Sequence, residues 1–198
     1  MHMSYLNTVT WTIEPLALPT VIKTCSKCGH KATFVNTEKF RVNANKMSLD
    51  IWLIYCCEKC KSTYNLTVHE RISPQEMPLT MLERFMGNDL QLAREVGFDS
   101  ILHQKNKVHL DLASVPFDIT GEMVNLDAPG MIELKCPFNL GQRVDKILSK
   151  KLNVSRSVIK RLHESGKLTG PKAKGLLNEK VKSDRSLRIS INTMKAIG

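Results

Sequence analysis

A chain of 198 residues with 42% apolar and 24% charged side chains has ordinary globular composition, enough for one large domain or two to three small ones, which excludes a disordered or fibrous protein. The formal net charge is +10, so a polyanionic partner is a first expectation. No apolar run approaches the roughly 18 residues of a membrane span, and no basic region with an apolar core and cleavage site opens the chain; a soluble, cytoplasmic protein is expected. Met1-His2 ahead of Met3 reads as a remnant of cloning.

From Tyr5 to Ile22, Val9, Trp11 and Ile13 alternate and Pro15 and Pro19 interrupt, which predicts an edge strand. Next come two C-x-x-C pairs, Cys25-Ser26-Lys27-Cys28-Gly29-His30 and Cys57-Glu58-Lys59-Cys60-Lys61. Separated by strand-like sequence, they are the pattern of a zinc ribbon. Each pair can form a tight knuckle presenting two thiolates, and two knuckles complete a tetrahedral shell. Glycine suits the turn, and Lys27 and Lys59 offset thiolate charge. Phe40–Asn43 and Leu49–Tyr55 read as the intervening strands with a turn at Asn45-Lys46, and Tyr64–Val68 as a returning third strand.

Disulfides do not suit a chain without a secretory signal, and neither pair opens a helix in a βαβ context, as a thioredoxin-type site would. The expected ligands are therefore Cys25, Cys28, Cys57 and Cys60, with Cys56 pointing into the core and His30 in a surface or supporting role. Either could still replace a predicted ligand. Four cysteines close the shell, so the Zn2+ would be structural.

From Pro74 to Gly97, Leu79, Leu82, Phe85 and Met86, then Leu90, Leu92, Ala93 and Val96, recur at helical spacing with a break at Gly87-Asn88-Asp89; a helical hairpin ending at Gly97-Phe98-Asp99 follows. Val108 to Leu112 alternate as a short strand. His109, Asp111 and Asp118 have no partner motif that would make them catalytic. Met131–Cys136 is another strand, with Cys136 a core residue, and Asp127-Ala128-Pro129-Gly130 marks a boundary.

In Leu140–Leu168, the apolar residues Leu140, Val144, Ile147, Leu148 and Leu152 form one stripe of a helix capped by Asn139, with Gln142 reaching back. A tight connection at 152–154 leads to a second helix capped by Ser155 and ended by Gly166. On that helix Arg156, Lys160, His163 and Lys167 stack opposite Val158 and Leu162. From Leu140 to the end, fifteen lysines and arginines stand against four acids, a net of +11 in a chain of +10. The first 139 residues are thus close to neutral, at −1, and the last third carries the footprint of a polyanion-binding module.

This stretch, with Leu140–Leu148, Ser155-Arg156-Ser157, Val158–Leu162, Gly166-Lys167-Leu168 and the closing run to Ile191, resembles the small RNA-binding domain named after ribosomal small-subunit protein four. Thr169-Gly170-Pro171-Lys172 and the loop from Ala173 to Glu179 depart from that family's pattern. The resemblance implies docking of a helix pair on structured RNA. Lys39–Asn45, Asp50–Tyr55 and the paired cysteines also resemble a bacterial family described as a domain of unknown function and numbered 1062, a similarity that implies no established activity.

The expected fold is α+β: an N-terminal zinc ribbon of antiparallel strands at 3–72, a helical hairpin with short strands at 73–130, and a small α/β RNA-binding-like module at 131–198. The expected function is non-catalytic binding of ribosomal or transfer RNA through Arg143, Lys146, Lys150, Lys151, Arg156, Lys160, Arg161 and Lys167, with Arg156, Lys160 and Arg161 leading. A DNA-binding or protein-adaptor ribbon is the first alternative and would gather Arg41, Lys46 and Lys61 on one face. An RNA-modifying enzyme is the second, although no glycine-rich cofactor loop or nucleophile elbow is legible. No small-molecule substrate or membrane partner is implied.

Overall fold

The computed structural model describes residues 7–44, 47–171, 175–183 and 186–192. The turn expected at Asn45-Lys46, the start at Met1-His2-Met3, and Lys172, Ala173, Lys174, Asp184, Arg185 and Lys195 lie outside them. The chain is mixed α+β, with two five-stranded sheets and five α-helices among the described residues. It divides into two compact units, Ala17–Val115 and the combination of Met1–Leu16 with Pro116–Gly198.

In the unit Ala17–Val115, strands β2 (Thr20–Thr24), β3 (Lys31–Ala44), β4 (Leu49–Cys57), β5 (Thr63–Ile72) and β6 (His109–Asp111) form an antiparallel sheet in the order β5-β4-β3-β2-β6. Strict alternation along β4 buries Leu49, Ile51, Leu53, Tyr55 and Cys57 and leaves Trp52, Ile54 and Cys56 half-buried on the other face. The buried face packs against helices α1 (Leu79–Met86) and α2 (Leu90–Phe98), whose Phe85, Leu92, Ala93 and Val96 join the same core. Phe40 and Phe85 meet edge to face at 4.9 Å.

Side-chain amides complete the backbone hydrogen bonding where the ladder fails. The β3–β4 register shifts between Asn36 and Phe40, with Glu38 at φ 59°. The freed Phe40 N–H donates to Asn88 Oδ1 at 2.7 Å, supplied by the α1–α2 turn. Helix α3 (Ser100–Lys105) ends at Asn106, whose side chain accepts from Thr67 N–H and donates to Thr67 C=O, both at 2.9 Å. One amide thereby caps both groups of a residue on the edge strand β5.

In the second unit, β1 (Asn7–Pro15), β7 (Phe117–Thr120), β8 (Gly130–Lys135), β9 (Leu168–Thr169) and β10 (Leu187–Ile191) form a sheet ordered β7-β1-β8-β10-β9. Trp11 is fully buried on β1, and its indole N–H donates to Glu122 C=O at 2.8 Å. Helices α4 (Val144–Leu152) and α5 (Arg156–Glu164) join at Asn153, which takes the left-handed conformation at φ 54°. The stripe Leu140, Val144, Ile147, Leu148 and Leu152 is buried as expected, and Ser155 caps α5 by accepting from Val158 N–H.

Four expectations are corrected. Strand β1 is interior, antiparallel to β7 and parallel to β8; alternation reveals a buried face but not a partner far along the chain. For the same reason β1 and β7, read as parts of the ribbon and middle segments, belong to the unit that holds α4 and α5. Helix α4 starts at Val144, not near Asn139: Gly141 has φ 60°, Arg143 is extended, and Arg143 bridges Lys180. Glu179 C=O then accepts the first orphan amide, Val144 N–H, at 3.0 Å. Finally, Asp99 does not merely end α2. It caps α3, accepting from the amides of Ile101 and Leu102.

Candidate metal centre and basic face

The two knuckles are built alike. Cys25 N–H donates to His30 C=O and Gly29 N–H to Cys25 C=O, both at 2.9 Å. In the second, Cys57 N–H donates to Ser62 C=O at 2.8 Å and Lys61 N–H to Cys57 C=O at 3.0 Å. Both loops need a left-handed residue at the fifth position. Gly29 supplies it freely at φ 74°, whereas Lys61 holds φ 60° against its own β-carbon.

One knuckle follows β2 and the other joins β4 to β5. Because β3 pairs with both β2 and β4, these loops fall at the same end of the sheet. The four sulfurs lie within 4.8 Å of one another. Cys25 and Cys60 approach to 3.6 Å and Cys28 and Cys57 to 3.9 Å. Sulfurs about 2.3 Å from a central ion at tetrahedral angles stand about 3.8 Å apart, so the spacing fits a metal and is far beyond the roughly 2.05 Å of a disulfide. These four cysteines can bind a metal ion.

Ser62 tunes the donors. Its hydroxyl lies 3.3 Å from Cys25 Sγ and 3.0 Å from Cys60 Sγ. Chiefly through that hydroxyl, the Cys25 thiol is held down at about 6 and the Cys60 thiol is lowered. Cys28 is pushed up to about 12, first by its hydrogen bond with Cys60 and then by burial. Cys25 and Cys60 are thus readier to ionise than Cys28, whose proton a bound cation would have to displace.

His30 is not drawn into the cluster. Its Nδ1 lies 2.7 Å from Cys28 C=O and its Nε2 3.2 Å from Lys59 Nζ, so it ties one knuckle to the other. Cys57, not Cys56, is the fully buried residue of the adjacent pair, and Cys56 lies half-buried on the opposite face of β4 instead of in the core. Cys136 is buried, as expected, and donates to Phe138 C=O.

The unit Ala17–Val115, which carries the four-cysteine cluster, also holds a polar group that the sequence did not announce. His103 is 1% exposed; its Nδ1–H donates to Asp99 C=O at 2.6 Å and its Nε2 lies 2.9 Å from the Tyr55 hydroxyl. Asn36 Nδ2–H reaches that hydroxyl at 3.5 Å. Burial lowers the His103 pKa and raises that of Tyr55, so the chain runs from a neutral amide through a neutral phenol to a neutral imidazole.

The eight basic residues expected to meet nucleic acid fall into three groups. Arg143 donates to both oxygens of Asp145, at 3.1 and 2.8 Å, and Arg156 donates from Nε and Nη2 to Oδ2, at 2.9 and 2.6 Å. Lys146, Lys150 and Lys151 turn back on the fold. Lys146 Nζ donates to Gln142 Oε1 at 2.9 Å, Lys150 donates to Phe117 C=O and lies 3.6 Å from Asp118, and Lys151 donates to Ile119 and Gly121 C=O at 2.9 and 2.8 Å. Lys160 sits on the exposed side of α5, 3.7 Å from Glu164, while the Arg161 and Lys167 side chains make no hydrogen bond or ion pair among the described residues. In the unit Ala17–Val115, Arg41 and Lys61 are exposed, and Lys46 lies outside the described residues.

No helix among the described residues is long and apolar enough to cross a membrane. No curated protein and no solved structure matches the chain. A family model does, over residues 42–174, from within β3 and through the second cysteine knuckle to the segment after β9, leaving Cys25 and Cys28 ahead of the matched region. That model is described as "Protein of unknown function (DUF1062)", and the chain belongs to this family.

Proposed function

We propose that this is a non-catalytic RNA-binding protein in which a Zn2+ held by Cys25, Cys28, Cys57 and Cys60 fixes a ribbon of the β2–β3 and β4–β5 hairpins, and the basic face of α5 meets structured RNA. The observation that carries the RNA reading is the concentration of charge: +11 from Leu140 onward in a chain of +10, with Lys160, Arg161 and Lys167 on α5 and the turn after it. Folded RNA presents phosphates at fixed spacing, and cations on a rigid helix read that shape without reading sequence. For the metal, four thiolates favour zinc or an iron–sulfur centre over hard cations. A closed sulfur shell leaves no position for substrate, so the ion's part would be to hold the two knuckles together.

Lys146, Lys150 and Lys151 act in this reading as braces of α4 against β7, and the phosphate contacts shift toward Lys160, Arg161 and Lys167. The test is titration of the protein with transfer and ribosomal RNA fragments across a salt series. Binding should weaken with salt, and replacing Lys160, Arg161 and Lys167 with alanine should flatten the slope by about one for each phosphate contact removed. An unchanged slope in the triple variant would remove α5 from the interface.

A further inference from the structure

Beside the α4–α5 pair lies a cleft of about 370 Å3 lined by Arg143, Asp145, Arg156, Ser157, Lys160 and the 310 turn at Leu177-Asn178. Its floor is unusual in charge. Asp145 is 7% exposed and is held by both guanidinium groups, which are 43% and 54% exposed. One carboxylate thus brings two like charges together, and three cations against one anion leave the cleft at +2. A guanidinium carries five N–H donors, and Asp145 engages only Nε and Nη2 of each. Neither Nη1 has a partner among the described residues. The Asn178 amide adds a donor at the rim, Ser157 stands there with its hydroxyl 2.7 Å from that of Ser155, and Leu177 adds an apolar wall.

From this arrangement we infer that the cleft seats a terminal phosphate monoester, carried by a nucleotide or by an RNA end. The inference rests on, and sharpens, the RNA reading. A monoester offers three terminal oxygens and close to two negative charges near neutrality, which matches the +2 lining. A phosphodiester inside a strand offers two oxygens and one charge. Fixed guanidinium forks recognise such groups in more than one direction, as a lone lysine cannot. The volume also exceeds what a bare phosphate fills and lies within the range of small-ligand sites, about 300–1,000 Å3, leaving room for a sugar and part of a base beside Leu177.

The test compares a 5′-phosphorylated oligoribonucleotide with a 5′-hydroxyl strand two nucleotides longer, which carries the same charge, and adds adenosine 5′-monophosphate as competitor. The variant is Ser157→Glu. It places a negative charge in the cleft without touching Asp145 or its arginines, and an acid in the first turn of a helix favours the helix, so thermal stability should hold. The wild type should prefer the phosphorylated end by at least about tenfold and the variant should lose that preference, as expected for one repelling charge at close range. Competition by the mononucleotide identifies a free nucleotide as the ligand, and its absence identifies the RNA end. Equal binding of both strands overturns the cleft assignment and leaves the RNA reading standing. If neither strand binds, nucleotide binding abolished by Ser157→Glu keeps the cleft and discards RNA, and no nucleotide binding discards both.

Discussion

Arg156 Nη2 lies 2.6 Å from Asp145 Oδ2, across the turn that joins the two helices of the basic module. Asp145 sits in the first turn of α4 and Arg156 opens α5, so this pair fixes the angle at which the second helix leaves the first. Arg143 reaches the same carboxylate. Replacing either arginine with alanine should cost about 1 kcal/mol, because the other still pairs with the nearly buried acid and both arginines are half in water. Removing both leaves a desolvated charge without a partner and should cost about 3–5 kcal/mol. A double-mutant cycle by chemical denaturation checks the excess, and additive losses would contradict the shared clamp.

Metal removal is the sharpest lever on the other unit. The protein as isolated should carry one metal ion per chain by elemental analysis, and Cys57→Ser should carry none. A strong chelator should lower the melting temperature of the wild type and leave that variant unmoved, since binding energy at such a site is folding energy.

Ser62 is predicted to matter through its hydroxyl. Ser62→Ala removes the group that holds the Cys25 and Cys60 thiols down. Metal competition against a chromogenic chelator should show affinity reduced about 10- to 100-fold, the range for a supporting hydrogen bond around a metal, with a loss that narrows as the pH rises and the thiols ionise unaided.

His103 gives stability a defined pH dependence. Its folded-state pKa is lowered by burial, while the unfolded chain titrates near about 6.5. Below that value the unfolded state binds the proton first, so the contribution is complete above about 6.5 and is lost as pH falls toward the depressed folded value. Because thiolates also take up protons in acid, the readout is the difference between wild type and His103→Gln: denaturation midpoints should converge as pH falls from 7 to 5. Parallel curves would contradict the buried neutral imidazole.

Gly121 turns at φ 108° with Thr10 C=O only 2.1 Å from where a β-carbon would stand. Gly121→Ala cannot be absorbed by a side-chain shift, because the obstacle is backbone on β1. A loss of more than about 2 kcal/mol is expected from strain and clash together. Gly29→Ala meets no atom within 4 Å and should cost only the left-handed conformation, about 1 kcal/mol.

The parts of this fold that depend on local chemistry could be read from the chain. The C-x-x-C pairs placed four sulfurs together, the apolar stripe of α4 is buried, and Ser155 and Gly166 bound α5. What escaped was set by partners distant in sequence. Nothing near Trp11 reveals that β1 runs parallel to β8, and nothing near Lys150 and Lys151 reveals that their ammonium groups turn to the carbonyls of β7. A lysine on a helix looks alike whether it meets solvent or a strand edge. Asn88 and Asn106 were invisible as sheet elements, since no periodicity marks a side chain that replaces a ladder bond. The cap at Asp99 was legible in principle: an Asp before Ser-Ile-Leu-His is an N-cap pattern, eclipsed by the end of α2.

The central claim is met most directly by crosslinking and sequencing of RNA bound to the protein in cells, with Lys160→Ala, Arg161→Ala alongside. These residues leave the Asp145 clamp intact, so a change in binding is not a change in folding. The account predicts a defined peak on ribosomal or transfer RNA that falls to background in the variant. Equal, featureless recovery from both proteins would contradict it.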